Sequence, residues 1–250
     1  MNRIRQVWAE GRGAVVGWLH VPSAFSAEIM ARAGYDGLVI DIQHGAAGFA
    51  EAHEMFRAIE LGGAEPLARV TANDPGEIMK LLDYGCYGVI CPMIETADEA
   101  AAFASSLHYP PQGRRSYGPR RPAQRYGASY VEMASDTIIS FAMIETQLGL
   151  VNLDQILAVE GYDGVFIGPA DLALALGHPP KPDPDAPVVV EAIRHIRERA
   201  HAMGKKVGLF CADGAYARAR IAEGFDLVSI APDSALLAAG AKASLAAARG

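Results

Sequence analysis

Apolar residues recur along this chain in two rhythms. Short, nearly uninterrupted apolar runs alternate with longer stretches in which apolar positions return every three or four residues. The short runs predict strands at 14–20, 37–41, 65–70, 88–92, 138–145, 164–168, 206–211 and 226–231. The longer stretches predict helices at 24–33, 49–61, 75–83, 96–107, 147–159, 170–176 with 187–203, 214–223 and 233–248. Start signals agree: Ser23 precedes a periodic run, Pro75 follows Asp74, and Thr96 stands three residues before Glu99 as a capping box. Strand and helix thus alternate eight times, the count of a (β/α)8 TIM barrel.

A weak internal repeat favours the barrel over its structural rival, a doubly wound open sheet. AGYDGLVID (33–41), YGCYGVICP (84–92), EGYDGVFIG (160–168) and EGFDLVSIA (223–231) each join a helix end to a β-branched strand through a glycine, and they fall on strands 2, 4, 6 and 8. The glycine is expected to supply the left-handed residue that closes the helix. Two insertions, the arginine-rich 108–125 and the proline-rich 178–187, are both placed after strands and hence at the C-terminal face.

Composition narrows the class. The chain has 250 residues, 51% hydrophobic and 20% charged, so it is globular and needs no staple, and 1–250 is expected to be a single barrel domain. A net charge of −7 argues against nucleic-acid and anionic-membrane partners. Cys86, Cys91 and Cys211 lack metal-ligand spacing and read as reduced core residues. No apolar run reaches the ~18 residues of a membrane span and no signal-peptide pattern opens the chain. The expectation is a soluble cytoplasmic protein.

Candidate chemistry gathers where polar residues end apolar strands: Asp41, Gln43 and His44 after strand 2, Arg69 after strand 3, Glu145 after strand 5, and Gly168-Pro169-Ala170-Asp171 after strand 6. Glu145 and Asp171 either cap the helices that follow or share a cation, since two carboxylates at matching heights on neighbouring strands repel. With no cysteine nearby, oxygen ligation points to Mg²⁺ or Mn²⁺. His44, three residues past Asp41, is a candidate general base or an exposed loop histidine, and His20 is a weaker candidate for the pocket wall. Arg69, inside an apolar strand, needs a fixed anion. The GPAD tract offers the N–H groups of Ala170 and Asp171 to a small carboxylate. None of the five lysines (Lys80, Lys181, Lys205, Lys206, Lys242) ends a predicted strand, and only Lys181 comes near, which disfavours Schiff-base chemistry. The arginines of the insertion (Arg114, Arg115, Arg120, Arg121, Arg125) are read either as a solvated or interface segment or as contacts to an anionic acceptor.

At these residues the chain resembles the class II, metal-dependent pyruvate aldolases of the HpcH/HpaI group. The likeness runs from GWLHVPSAFSAEIMARAGYDGLVIDIQH through NDPGEIMKLLDYG, CPMIETADEA and YPPQGRRSYGP to VEGYDGVFIGPADLALALG. The resemblance implies His44 as base with a metal-bound water, Arg69 on the keto oxygen and enolate, and Asp41 and Asp83 tuning His44. It implies Glu145 and Asp171 as ligands of a divalent cation (Mg²⁺, Mn²⁺ or Co²⁺). Trp18, Met143, Gly168, Ala170 and Asp171 then line the substrate. It further implies a homohexamer with the last helix swapped between subunits. Gln43 stands where the family often has an acid, Met143 where it often has glutamine, and His20 and RRSYGPRR also depart from the dicarboxylate-cleaving members. The function implied is reversible aldol addition of pyruvate or hydroxypyruvate to aldehydes. Its rivals are a citrate-lyase-β-like cleaver, for which no phosphate-loop signature exists, and a non-catalytic oligomeric binding barrel.

Overall fold

The computed structural model describes residues 2–250. Its elements, in chain order, are α1 (Arg3–Ala9), β1 (Ala14–Leu19), α2 (Ala24–Arg32), β2 (Gly37–Asp41), α3 (Phe49–Gly62), β3 (Glu65–Arg69), α4 (Pro75–Asp83), β4 (Gly88–Cys91), α5 (Ala97–Leu107), α6 (Arg120–Tyr126), α7 (Tyr130–Thr137), β5 (Ile139–Ile144), α8 (Gln147–Val151), α9 (Leu153–Leu157), β6 (Gly164–Ile167), α10 (Pro169–Ala175), α11 (Pro187–Ala202), β7 (Lys206–Leu209), α12 (Gly214–Ala222), β8 (Leu227–Pro232) and α13 (Asp233–Arg249). The strands close in sequence order into one barrel, every neighbouring pair parallel. All eight expected strands are present.

Closure divides the apolar residues into two cores. Inward positions of alternate residues, among them Val16, Trp18, Val39, Leu67, Ile90, Phe141, Met143 and Phe166, fill the barrel. Outward positions of the same strands pack beneath the helices. At the N-terminal end the barrel is plugged by α1, whose Ile4 and Val7 join the inner core. Asn2 caps α1 and donates to the carbonyls of Tyr87 and Thr137.

Helix boundaries follow local chemistry. Ser23, Asp74 and Thr96 accept backbone N–H bonds as the caps of α2, α4 and α5, and Thr96 with Glu99 completes the capping box. The repeat glycines Gly34, Gly85, Gly161 and Gly224 all have φ between 89° and 102°, so each reverses the chain between a helix and the next even-numbered strand.

Three short helices, α1, α6 and α7, escape the sequence pattern because each spans about two turns, too few for a period to show. In α6 Pro122 is the third helical residue, where its missing N–H would have had no intrahelical partner. The placement of 108–125 at the C-terminal face is corrected: the segment follows helix α5, not a strand, and lies at the N-terminal rim. There Arg115 pairs with Asp83, Arg121 and Arg125 pair with Glu60, and Arg125 also pairs with Glu65 at the start of β3. Arg115 is fully buried beside Tyr109 and Tyr130. Within its own barrel this tract cannot meet an acceptor at the opposite mouth. The 178–187 segment does sit at the C-terminal side, where Asp183 accepts from the N–H of Ala212 just after β7.

Gly34 isolates the backbone requirement, because a Cβ built there meets nothing within 4 Å and only its φ of +99° opposes a side chain. Gly34→Ala is expected to cost about 1–2 kcal/mol. Gly214→Ala, equally uncrowded but in the first turn of α12, is expected to be neutral or stabilising. Equal denaturation midpoints for the two variants would contradict the assignment.

Candidate active site

The C-terminal mouth holds a cavity of about 190 Å³ lined by Trp18, His20, His44, Arg69, Met143, Phe166, Gly168, Pro169, Ala170, Asp171 and Phe210. Its floor is aromatic: Phe166 and Phe210 pack on Trp18 with centroids 5.7 and 5.2 Å away. A larger concavity of about 700 Å³ lies on the outside between α2, α3 and α6. It gathers no convergent chemistry, since Arg57, Arg121 and Arg125 there are paired with Glu54 and Glu60.

Asp41 and Arg69 end adjacent strands as register partners. Arg69 grips Asp41 in a fork, Nε to Oδ1 at 2.9 Å and Nη2 to Oδ2 at 2.6 Å. Trp18 Nε1–H donates to Oδ2 at 3.0 Å and His20 Nε2 lies 3.2 Å from the same oxygen. Burial alone would raise this carboxyl. The bonds from His20 and Arg69 outweigh burial and hold it ionised, well below the usual carboxylate range. Arg69 also lies over the Trp18 ring, 5.2 Å from its centroid. Its Nη1 has no partner among the described residues.

Glu145 follows β5 and is 3% exposed. Its Oε1 accepts from the N–H of Met93 at 2.9 Å, which Met93 presents from a left-handed conformation (φ 56°) that a side-chain-bearing residue adopts only at a cost. No cation within the described chain contacts Glu145. Burial pushes its carboxyl up to about 7, opposed first by the Met93 amide, with Asp171 adding to the rise and Arg69 pulling weakly against it. A Cβ at Gly168 would collide with Glu145 Oε2, so glycine there keeps open the space between the two carboxylates. The helix-capping alternative fails for Glu145, because the cap of α8 is Thr146. Asp171 lies in the first turn of α10, whose N-cap Gly168 offers no side chain. The N–H groups of Ala170 and Asp171 therefore have no partner among the described residues.

The donor set fits a hard divalent cation. Asp171 lines the cavity, and Glu145, deeply buried and without an ion-pair partner, lies against Gly168 at its wall, so a small chelating ligand in the cavity could complete the coordination of a cation held by the two. Among the described residues no third histidine, cysteine or carboxylate joins them, which leaves room for substrate oxygens.

His44 lines the cavity and its backbone N–H donates to Asp41 Oδ1 at 3.2 Å. Its imidazole has no partner among the described residues. Asp41, expected to tune His44, reaches it through Oδ1 at the backbone N–H, and the imidazole beside Asp41 Oδ2 is that of His20. Asp83 is not in this cavity. It ends α4 at the far rim, held by Arg115 at 2.9 Å. Lys181 pairs with exposed Asp185, and no lysine lines the cavity. Phe166, Phe210 and the Met93 amide were not singled out in sequence. Phe210 had a signal in its position near the end of an apolar strand, whereas a backbone N–H leaves none.

A model of the HpcH/HpaI aldolase/citrate lyase family matches residues 15–239. The hydroxypyruvate/pyruvate aldolase of Rhizorhabdus wittichii is 55% identical over 249 residues, covering 100% of this chain and 99% of that protein. The 4-hydroxy-2-oxo-heptane-1,7-dioate aldolase of Klebsiella pneumoniae is 36% identical, covering 97% and 92%. Among solved structures, an HpcH/HpaI aldolase/citrate lyase family protein from Burkholderia cenocepacia superimposes with a TM-score of 0.91 at 29% identity, covering 100% of both chains.

The raised carboxyl gives a signed expectation. Between its ordinary value of 4.5 and about 7, the folded metal-free chain keeps a proton on Glu145 that the unfolded chain has lost. Stability contributed at low pH, about 3 kcal/mol, is therefore lost as pH rises through that window. Urea denaturation of metal-free protein from pH 4.5 to 8 reads it, and Glu145→Gln is expected to remove that component of the slope. An unchanged slope in the variant would contradict the assignment.

Proposed function

The chain belongs to the HpcH/HpaI aldolase/citrate lyase family, and on that premise we propose that it is a class II aldolase joining pyruvate or hydroxypyruvate to aldehydes and cleaving 4-hydroxy-2-oxo acids in reverse. It is a carbon–carbon lyase. One observation carries the reading: Glu145 is a buried carboxylate without an ion-pair partner, set against Gly168 and near Asp171, and both of those residues line the cavity that also holds Arg69 and His44. The high identity to a hydroxypyruvate/pyruvate aldolase supports the donor class.

Glu145 and Asp171 hold a divalent cation, Mg²⁺, Mn²⁺ or Co²⁺. Bound there, it would supply Lewis acidity that makes the C3 protons of a 2-oxo acid removable. The free N–H groups of Ala170 and Asp171 receive the donor's carboxylate. Arg69, immobilised by Asp41 and Trp18, directs its remaining Nη1 donors to the oxygen that becomes negative, so the charge is met without reorganisation. The unpartnered imidazole of His44 takes the C3 proton and returns one to the new hydroxyl. The aromatic floor of Trp18, Phe166 and Phe210 with Met143 keeps water from the carbanionic carbon. The absence of lysine from the cavity removes the imine route.

The reading takes the second partner of His44 from assembly. Asp83 cannot reach His44 in its own barrel, so it acts from the N-terminal rim of a neighbouring subunit in a homohexamer. The C-terminal helix supports an assembly: only its root packs on the barrel, Asp233 being buried, and α13 is exposed from residue 235 onward, Leu236, Leu237 and Leu245 included. Its apolar residues are covered by exchange with a neighbour. No helix among the described residues is long and apolar enough to cross a membrane. The substrates are small 2-oxo acids and aldehydes, and the expected setting is the cytoplasm.

Chelation is expected to abolish condensation of pyruvate with glycolaldehyde, and Mn²⁺ or Mg²⁺ to restore it. Glu145→Gln and Asp171→Asn should each weaken Mn²⁺ binding at least about tenfold by calorimetry. Covalent trapping of pyruvate by borohydride would overturn the reading. For the shared site, His44→Ala and Asp83→Ala proteins, each inactive, are expected to regain activity when co-assembled. No recovery in oligomers verified as mixed would remove Asp83 from the mechanism.

A further inference from the structure

His20 has both ring nitrogens committed. Nε2 lies 3.2 Å from Asp41 Oδ2 and Nδ1 lies 3.2 Å from Ser234 Oγ. Asp41 is an ionised acceptor, so Nε2 carries the hydrogen, and in the neutral ring Nδ1 accepts from the Ser234 hydroxyl. The backbone is fixed from the same side. The N–H groups of His20, Val21 and Ser234 all donate to Asp233, which is buried at the root of α13. A continuous chain thus runs from the first turn of the C-terminal helix through His20 and Asp41 to Arg69.

Oδ2 of Asp41 accepts three bonds, from Trp18, Arg69 and His20. Trp18 is sealed in the inner core, but His20 stands on the cavity wall with its side chain 31% exposed. It is the donor that closes this oxygen against water. Without it, water reaches Oδ2 and the fork loses the contact that keeps Arg69 from turning. A guanidinium misdirected by a fraction of an ångström loses most of its value to a developing oxyanion.

Building on the aldolase reading, we propose that His20 is a positioning residue for Arg69, acting through Asp41, with its tautomer set by Ser234. The root of the C-terminal helix is thereby part of the active site. His44 remains the base; His20 does not exchange a proton with substrate.

The test compares His20→Gln, which keeps an N–H donor, with His20→Leu, which does not, and adds Ser234→Ala in both the wild-type and His20→Gln backgrounds. Exchange of pyruvate's methyl protons with D₂O, followed by NMR in the presence of Mn²⁺-free Mg²⁺ buffer, reads enolisation without an acceptor. His20→Leu is expected to lower kcat about 10–100-fold, the loss of one charge-assisted hydrogen bond, with pyruvate KM changed less than about 3-fold. His20→Gln should recover most of that loss. Ser234→Ala should slow the wild type yet leave the His20→Gln protein unaffected, since glutamine has no Nδ1 to orient. Crystal structures of the variants give a readout independent of turnover: the Arg69–Asp41 fork intact with glutamine and rotated with leucine. A His20→Leu protein with wild-type kcat and an unmoved fork would overturn the proposal. So would a glutamine variant as impaired as leucine, or an equal Ser234→Ala loss in both backgrounds. A wild-type protein that neither exchanges nor condenses pyruvate would sink the aldolase reading, while the fork comparison would still decide the role of His20.

Discussion

A carboxylate buried at the mouth of a closed barrel must be neutralised, and this chain neutralises two of them in opposite ways. Asp41 is satisfied from within: Arg69, Trp18 and His20 surround it, and it stays ionised. Glu145 receives only the Met93 amide, and burial beside Asp171 drives its carboxyl upward. The first is a finished structural unit and the second is an unfinished one. That difference organises the proposed site, in which a cation brought in from outside would complete the second unit.

The division has a simple origin in the barrel. Strands β2 and β3 present Asp41 and Arg69 at the same register, so opposite charges cancel across one ladder. Strand β5 brings Glu145 beside the start of α10, where Gly168 leaves space and Asp171 adds a like charge. Opposite signs on one side and like signs on the other make the two walls complementary, which is why we propose one as an anchor for an oxyanion and the other as a seat for a metal. The arginine is rigid because its partner is internal, and the carboxylates are available because theirs is not.

Much of this was legible in the chain. Eight parallel strands, each covered on both faces, read as short apolar runs, and in such runs an isolated Asp41, Arg69 or Glu145 stands out. The repeat glycines were visible because their backbone conformation has a residue-level signature. The arginine tract misled because its composition suggested a ligand while its neighbours Asp83, Glu60 and Glu65 lie far away in sequence. His20 carries little signal for the same reason: its partners, Asp41 and Ser234, are 21 and 214 residues distant. Periodicity shows which face a residue occupies on its own element; it does not show which distant side chain completes it.

The central claim is that the incomplete carboxylate pair seats the cation that activates a 2-oxo acid. The most direct test is diffraction from crystals soaked with Mn²⁺ and pyruvate, with anomalous maps at the manganese edge. The account predicts a single strong peak between Glu145 and Asp171, with pyruvate chelating it on the Arg69 side. Manganese bound elsewhere, or pyruvate seated in this cavity with no metal between the two carboxylates, would contradict it.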